Sequence, residues 1–554
     1  GLGRETAIKA DAVLREVPFD SLPQLWPAVV APNAREWVVA NLSKGVAHEA
    51  RATLSARSAS GRFDDVVVEH VEGGLEGDGV TVDYLRPMPV VKNAAASASF
   101  DAKDFRITVK GGEVYGLRLK DGLIVLGGLD QEDQHADIDL TIAGPAADAL
   151  KLIDNQPLRY AQALGIDPAS VGGDATTRLR LKFPLLKNLR LDDLAIKAHS
   201  SLKGVSIPKV VMGLDLARGD LEIDVDAKGL DASGPVVLGT IPADLKWREN
   251  FSARNVPFRS RYTLRAPSVD EEQRKMLGLD GVPFVSPFIS GPVAADVVAT
   301  LFGGGKGDIE AKVDLSPARM KLPGMGWRKE DRTTGGARVL VRLEKMKLAS
   351  VPRFEVQAGD LNTRGSVAFG PDGSARRVEF ERLAYGKTDV SGSLSLRPGG
   401  GMDIAFKGSS FNAEPLIGSD DEDEQLQPAP PADGRKQRRK SDLPPMTVSG
   451  SVGTMWMSEK GGLTNANVHL SRDAEEWRSM TIKGIVGAGK SFTAELRQAG
   501  PGRRDVTVRS DDAGAVAKAF DVYDDLMGGK LEIDGYYDDT KDEQPVVGKV
   551  RVTD

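Results

Sequence analysis

The sequence predicts a mostly β protein, built from a long curved antiparallel sheet with a few short helices. Three observations support this fold class. Apolar and polar residues alternate along most of the chain, short Gly- and Pro-containing turns separate the alternating runs, and helical periodicity is rare. Glycine accounts for 61 of the 554 residues, well above the usual share of roughly 7%. Glycine enrichment is typical of chains with many tight turns.

The alternation is clearest where one face of a strand is aliphatic and the other is charged. In "DIDLTIAG", Ile138, Leu140 and Ile142 share one face, and Asp137 and Asp139 lie on the other. The same pattern recurs in "RLRLKF", "DLEIDVDAKG", "DFRITVKGG", "RVLVRLEK", "GSLSLRP" and "MDIAFKG". Turn signals such as "LKDG", "GPDG" and "RPGGG" follow at short intervals. Such spacing predicts a meander of antiparallel strands.

Helical patterns are confined to three stretches. Residues 21–45 are predicted to form two short helices, and residues 145–166 another pair. Residues 512–527 are amphipathic and precede Gly528-Gly529, so they predict a further helix with a glycine stop.

Composition divides the chain into four parts. We assign residues 1–250 to an N-terminal β region, 251–418 to a repeated β region and 446–554 to a C-terminal β repeat. The segment between them, 419–445, reads "SDDEDEQLQPAPPADGRKQRRKSDLPP" and is too charged and too rich in proline to bury a core. It is interpreted as a disordered linker. The alternative is a tail that docks on a partner or contacts lipid headgroups.

Charge and composition exclude several classes of function. The net charge of −7 argues against a nucleic-acid partner. The chain has no cysteine, and its five histidines form no close-spaced ligand pair, so neither a metal site nor a cofactor is expected. No apolar run reaches the 18–20 or so residues of a membrane span. Because the chain opens "GLGRETAIKA" without Met or a signal peptide, we expect it to be a piece of a longer protein.

One stretch matches a nucleotide-binding pattern. Residues Gly484–Ser491, "GIVGAGKS", fit the phosphate-loop motif G-x-x-x-x-G-K-[ST]. That loop needs a helix after it, but "SFTAELRQAGPG" continues in alternation and then stops at a Gly-Pro turn. We therefore predict a hairpin with a chance match to the motif, no nucleotide binding and no enzymatic activity.

Several longer segments together resemble one known family. These are "LPQLWPAVVAPNAREWVVANLSKG" (22–45), "FPLLKNLRLDDLAIKAHSSLKGVSIPKV" (183–210), "GDLEIDVDAKGLDASGPVVLGTIPADLKWRENF" (219–251) and "VTVRSDDAGAVAKAFDVYDDLMGGKLEIDGYY" (506–537). They resemble the AsmA-like proteins of Gram-negative bacteria, in the branch of YhdP and TamB. The charged segment 419–445 is not part of the resemblance.

The resemblance implies a sheet folded like a taco around an apolar groove. It implies a bridge-like lipid transfer protein of the periplasm, with phospholipids as cargo moving between the inner and outer membranes. The parent protein would be anchored in the inner membrane by a helix outside this sequence. An outer-membrane or periplasmic protein would be a further partner.

The strongest alternations supply the residues expected to line such a groove. They are Ile107, Val109, Leu117, Leu119, Ile138, Leu140, Ile142, Leu179, Leu181, Leu194, Ile196, Leu221, Ile223, Val225, Val339, Val341, Val378, Phe380, Leu394, Leu396, Ile404 and Phe406. The alternation fits an ordinary closed core equally well. Two other functions also remain open: a non-enzymatic scaffold or assembly factor for outer-membrane proteins, and an enzyme.

Overall fold

The computed structural model describes residues 6–26, 32–59, 66–156, 158–186, 193–211, 213–252, 256–417, 444–540 and 545–553. The fold is mostly β, with 64% of residues in strands and 10% in helices, which confirms the predicted class. Two compact units make up the chain, Gly1–Arg265 and Ala266–Asp554. Their boundary lies beyond the one predicted at residue 250.

The first unit is a meander of long strands. They are β1 (Thr6–Pro18), β2 (Leu42–Ser43), β3 (Val46–Ser58), β4 (Val66–Val82), β5 (Val91–Asp101), β6 (Phe105–Val114), β7 (Leu117–Gly127), β8 (His135–Pro145), β9 (Gly172–Pro184), β10 (Ala195–Val211), β11 (Leu214–Asp226), β12 (Gly229–Leu238), β13 (Ile241–Asn250) and β14 (Ser260–Val269). Each strand from β3 to β14 pairs antiparallel with the next, while β1 pairs with β3 and the short β2 with β4. The sheet is open, since within the described residues no pairing joins β1 to β14.

The second unit contains the remaining strands. They are β15 (Ile289–Ser290), β16 (Val293–Leu301), β17 (Gly307–Asp314), β18 (Arg319–Leu322), β19 (Trp327–Lys329), β20 (Gly335–Glu344), β21 (Lys347–Ala358), β22 (Leu361–Phe369), β23 (Ala375–Tyr385), β24 (Thr388–Leu396), β25 (Met402–Asn412), β26 (Met446–Trp456), β27 (Gly462–Arg472), β28 (Trp477–Val486), β29 (Lys490–Gly500), β30 (Arg503–Ser510), β31 (Lys530–Asp538) and β32 (Val546–Thr553). A small separate sheet is formed by β15, β18 and β19. The other strands pair in chain order from β16 to β32.

One pairing corrects the prediction of a purely antiparallel sheet. Strands β25 and β26 run parallel, from Met402 opposite Met446 to Asn412 opposite Trp456. A parallel pair needs a crossover of a dozen or more residues, which a tight turn cannot supply. The predicted linker 419–445 lies between these two strands and supplies most of that length; all but its last two residues lie outside the described residues.

Within the described residues, seven short α-helices accompany the sheets. They are α1 (Leu22–Leu25), α2 (Pro32–Asn41), α3 (Ala146–Ile153), α4 (Tyr160–Leu164), α5 (Glu271–Met276), α6 (Glu414–Ile417) and α7 (Ala513–Ala519). Helices α1 to α4 fall inside the stretches predicted to be helical. No helix within the described ranges has the length and apolar character needed to cross a membrane.

Helix α7 is shorter than the predicted 512–527. It begins at Asp512, whose side chain accepts a hydrogen bond from the Ala515 amide at 2.8 Å. It ends where Asp521 adopts a left-handed backbone (φ 53°), which an α-helix cannot continue through. The apolar residues beyond this point do not pack as a helical face, since Met527 is 87% exposed.

In both units the sheet bends at repeated β-bulges. In the first unit, register shifts occur beside Gly77 on β4, Ala95 on β5, Leu119 on β7 and Leu202 on β10. In the second unit they recur beside the run of strands from β21 to β25. A bulge bends its strand and increases the local twist. Bulges aligned on neighbouring strands therefore curve the whole sheet, as predicted.

Candidate functional site

Three cross-strand rows of apolar side chains define what we call the first apolar face. The rows are Leu14–Ala50–Leu75–Ala98–Ile107–Ile124–Ile138–Leu181–Ile196, Ala12–Ala52–Gly73–Phe100–Phe105–Leu126–Ala136–Phe183, and Val17–Ala47–Gly77–Ala96–Val109–Gly122–Leu140–Leu179–Ala198–Val225–Leu230. No polar residue interrupts any of them. At about 4.8 Å per strand, the longest row extends roughly 48 Å.

The second unit carries an equivalent second apolar face. Its two longest rows are Val351–Val367–Val378–Leu394–Ile404–Val448–Leu470–Met480–Leu496–Val506–Gly535–Gly548 and Val297–Ala311–Val339–Phe354–Gly365–Phe380–Gly392–Phe406–Gly450–Val468–Ile482–Ala494–Val508–Ile533–Val550. At the same spacing of about 4.8 Å, the longer row extends roughly 67 Å.

Fourteen of the 22 predicted lining residues are members of these rows, eight on the first face and six on the second. Seven more lie on the same strands outside the rows: Leu117, Leu119, Ile142, Leu221, Ile223, Val341 and Leu396. Leu194 lies outside a strand, just before β10. The structure therefore brings most of these side chains together in the two sets of rows.

Most of the predicted residues are half-buried. Val109, Leu117 and Leu221 are buried, at 9% exposure or less, and Leu396 is exposed at 36%. The other eighteen have intermediate exposure. In a closed sandwich, the central residues of such faces would be almost fully buried by the opposing sheet. Half-buried rows show that the protein covers these faces only in part.

Other elements of each unit cover part of its apolar face. In the first unit, Val17, Phe19, Ala47 and Val80 form a buried cluster beside α1. In the second unit, the buried faces of α7 and of the small sheet cover the ends of the strands. Residues in these clusters include Leu463, Val486, Phe492 and Val516 beside α7, and Trp327, Ala358, Leu361 and Tyr385 beside the small sheet. The remaining parts of the apolar rows stay accessible.

The opposite surface of each sheet is charged. In the first unit one polar row reads Asp121–Thr141–Arg178–His199–Asp224–Asp231–Arg248–Arg261. Arg178 donates two hydrogen bonds to Asp139, at 2.9 and 2.8 Å, and these bonds hold the pKa of Asp139 below its usual range. The two surfaces of the sheet thus differ sharply in polarity.

A pair of hydroxyls shows how a polar residue is tolerated on the first apolar face. Thr177 and Ser200 are directly opposed on β9 and β10, and their oxygen atoms lie 2.6 Å apart, joined by one hydrogen bond that either hydroxyl can donate. Because the two hydroxyls bond to each other, the pair costs less in an apolar environment than two unpaired hydroxyls.

The longest row of the second face has a feature that sequence reasoning missed. Along it, Phe354, Phe380 and Phe406 alternate with Gly365, Gly392 and Gly450. Phe354 and Phe380 were not recognisable as neighbours of glycines because the alternation runs across strands, not along the chain. A Cβ placed at Gly450 would lie only 2.2 Å from Cζ of Phe406, so the ring lies over the bare glycine backbone. This arrangement keeps bulky rings flat against the sheet.

Replacing Gly450 by Ala should destabilise the second unit by about 1–3 kcal/mol, because the methyl group forces Phe406 out of its position. Chemical denaturation of Gly450→Ala, Phe406→Leu and the double variant would measure the coupling between the two sites. Gly500→Ala is the control, since a Cβ there meets nothing within 4 Å. If Gly450→Ala costs as little as Gly500→Ala, or costs the same in the Phe406→Leu background, the ring does not occupy this place in solution.

The phosphate-loop match forms a hairpin, as predicted. Residues up to Val486 belong to β28, Gly487 and Gly489 adopt positive φ in the turn, and Lys490 opens β29. The hydroxyl of Ser491 donates to Asp511 at 2.6 Å. A phosphate loop would require a helix to start at this point.

Two cavities lie on the polar surfaces of the sheets. One, of about 460 Å³, is lined by residues including Arg51, Glu72 and Arg106 in the first unit. The other, of about 680 Å³, crosses β23 to β28 in the second. Among the described residues, no cluster of three or more His, Asp or Glu side chains could hold a metal ion.

Fold and site define a class: an open β-sheet protein whose two units each present a long, partly uncovered apolar face. Comparison with known protein families, with curated proteins and with solved structures finds no match.

Proposed function

We propose that this chain is a bridge-like lipid transfer protein that carries phospholipids between the inner and outer membranes of a Gram-negative bacterium. The observation that carries the proposal is the pair of apolar faces with long uninterrupted rows, most of whose predicted lining residues are half-buried. The resemblance to the AsmA-like family supports periplasmic placement, an inner-membrane anchor outside this sequence and an outer-membrane or periplasmic protein partner.

Exposed apolar area favours a hydrocarbon occupant. Soluble proteins rarely expose contiguous apolar patches larger than a few hundred Å², and larger ones mark binding surfaces. Rows that extend for tens of ångströms on one face exceed that size. A lipid tail is long, flexible and apolar, and a wall of Val, Leu, Ile and Ala offers it contacts without directional requirements.

The energetics of lipid movement fit such a face. Transferring a methylene into water costs about 0.8 kcal/mol, so a two-tailed lipid with roughly 30 methylenes faces a barrier on the order of 20 kcal/mol. A continuous apolar face removes most of this barrier while the headgroup stays in water.

The strand segments between a bulge and the end of the strand have a length that suits a lipid tail. These segments comprise five residues in β6 (105–109) and eight in β10 (195–202). They are roughly 17–26 Å long, comparable with the ~15 Å hydrocarbon layer of one leaflet.

Lipid recovery tests the proposal directly. We expect purified protein, extracted with organic solvent and analysed by mass spectrometry, to yield phospholipid, and we expect the protein to accelerate lipid exchange between vesicles. Heat-unfolded protein is the control for carry-over. A protein that yields no phospholipid and leaves the exchange rate unchanged would contradict the proposal. A crosslinked β-barrel partner recovered without lipid would instead support the second candidate, a scaffold for outer-membrane proteins.

A further inference from the structure

The cavity of about 680 Å³ in the second unit has a distinctive lining. Its polar lining lies on the surface opposite to the second apolar face, so we call it the outer furrow. Two cross-strand rows supply this lining: Ser391–Lys407–Ser451–Asn467–Lys483 and Glu379–Ser393–Ala405–Ser449–His469–Thr481. Between them the furrow also touches Phe380, Gly392, Phe406, Gly450 and Val468, which belong to the longest row of the second apolar face.

Within the described residues, many charges of the second unit are paired across strands, but two lysines in the furrow are not. Outside it, cross-strand ion pairs are common, for example Arg364 with Glu381 at 3.3 Å and Arg382 with Asp389 at 3.1 Å. Glu379 at the edge of the furrow is likewise bonded to Arg377. By contrast, the ammonium groups of Lys407 and Lys483 form no ion pair with any carboxylate in the described ranges. These two positive charges are therefore available to a ligand.

The chemistry of the lining narrows the ligand class. Lys407 and Lys483 belong to one row, three strands apart, so roughly 14 Å separates their positions. Between and beside them, most strands present a hydroxyl or an amide, groups that both donate and accept hydrogen bonds. All backbone groups of the central strands are engaged in the sheet ladder, so an added peptide strand would find no backbone partner.

We propose that the outer furrow binds a linear acidic glycan laid across the strands. The repeat of a glycan chain is close to the strand spacing, so successive sugars would meet successive hydroxyl-bearing strands. The carboxylate or phosphate groups of the chain would pair with Lys407 and Lys483. This binding is independent of the apolar faces.

Affinity electrophoresis of the whole chain in gels containing polygalacturonate tests the proposal, with neutral dextran and poly-glutamate as comparison polymers. We expect retardation by polygalacturonate, weakened by roughly tenfold in Lys407→Gln/Lys483→Gln, as for the loss of two solvent-exposed ion pairs. Ser393→Leu/Ser451→Leu fills the furrow without changing charge and should weaken binding by a similar factor. The matched control Lys312→Gln/Lys549→Gln removes two exposed lysines outside the furrow and should leave binding unchanged.

Three results would overturn the proposal. The first is no retardation of the wild-type chain by polygalacturonate. The second is equal weakening by the control and furrow lysine variants, which would indicate a general effect of charge. The third is retardation by poly-glutamate that equals retardation by polygalacturonate and is unchanged in Ser393→Leu/Ser451→Leu. That result would indicate a cationic surface without glycan recognition.

Discussion

Asp539→Asn is expected to lower the free energy of unfolding of the second unit by about 1.5–3 kcal/mol, because it removes the carboxylate that makes two charge-assisted hydrogen bonds to a buried guanidinium, which then keeps only Glu476, 3.4 Å away, as a counter-charge. Arg504 and Asp539 are only 6% and 7% exposed, and two parallel hydrogen bonds of 2.8 and 2.6 Å join them. The same guanidinium donates to the carbonyl of Trp477 at 2.9 Å and lies over the ring of Tyr537. The bonds to Asp539 raise the pKa of Arg504, so the group stays charged.

Chemical denaturation followed by tryptophan fluorescence measures this effect, and Trp477 lies next to the pair. Asp534→Asn provides the matched control, since the Arg509–Asp534 pair joins β30 to β31, the strand directly before Asp539, but is 45% and 56% exposed. Exposed pairs contribute about 0–1 kcal/mol. A second variant, Arg504→Met with Asp539→Leu, removes both charges and should recover part of the loss. If Asp539→Asn lowers the free energy of unfolding no more than Asp534→Asn does, the Arg504–Asp539 pair is accessible to water in solution.

The fold class could be predicted because a strand with one apolar and one solvated face alternates apolar and polar residues along its sequence. Ile138, Leu140 and Ile142 alternate with Asp137 and Asp139, and the structure places the two sets on opposite faces. Alternation also identified the right residues on either side of the bulges, since a bulge shifts the register of pairing but leaves the local alternation readable.

The members of each row with small side chains could not be predicted. Gly73, Ala98 and Gly122 carry almost no hydrophobic signal, yet each completes a row on the first apolar face. Their place follows from register, which depends on which residues of the neighbouring strand lie opposite. For the same reason, the aromatic rings over the glycines of the second face were not recognised.

Long-range pairings were equally inaccessible to sequence reasoning. Nothing in "MTVSGSVGTMW" shows that this strand lies parallel to β25. Arg504 and Asp539 are 35 positions apart, and each looks like an ordinary surface charge in sequence. Lys460 binds Asp521 and Asp524, just beyond the end of α7, at 2.7 Å each. Such contacts follow from tertiary structure alone.

Leu140→Asp should abolish most lipid exchange while the protein remains folded. Leu140 lies half-buried in the longest row of the first apolar face, with its side chain over Gly122. A carboxylate placed in the path of a hydrocarbon chain costs about 2.5–3.5 kcal/mol at the centre of an apolar layer, which corresponds to roughly a hundredfold lower rate. Leu140→Ala removes the same bulk without adding charge and should retain most of the exchange.

The neighbouring residue supplies the decisive control. Thr141 is on the same strand but on the charged surface, opposite Asp121 and Arg178. Thr141→Asp should therefore leave the exchange rate and the stability nearly unchanged. Circular dichroism and thermal denaturation of both variants distinguish an open first apolar face from a closed core. If the face is open, Leu140→Asp loses exchange and stays folded, because water solvates the new carboxylate when no lipid is present. If the face is a closed core, the same carboxylate is buried without a partner, and the variant unfolds.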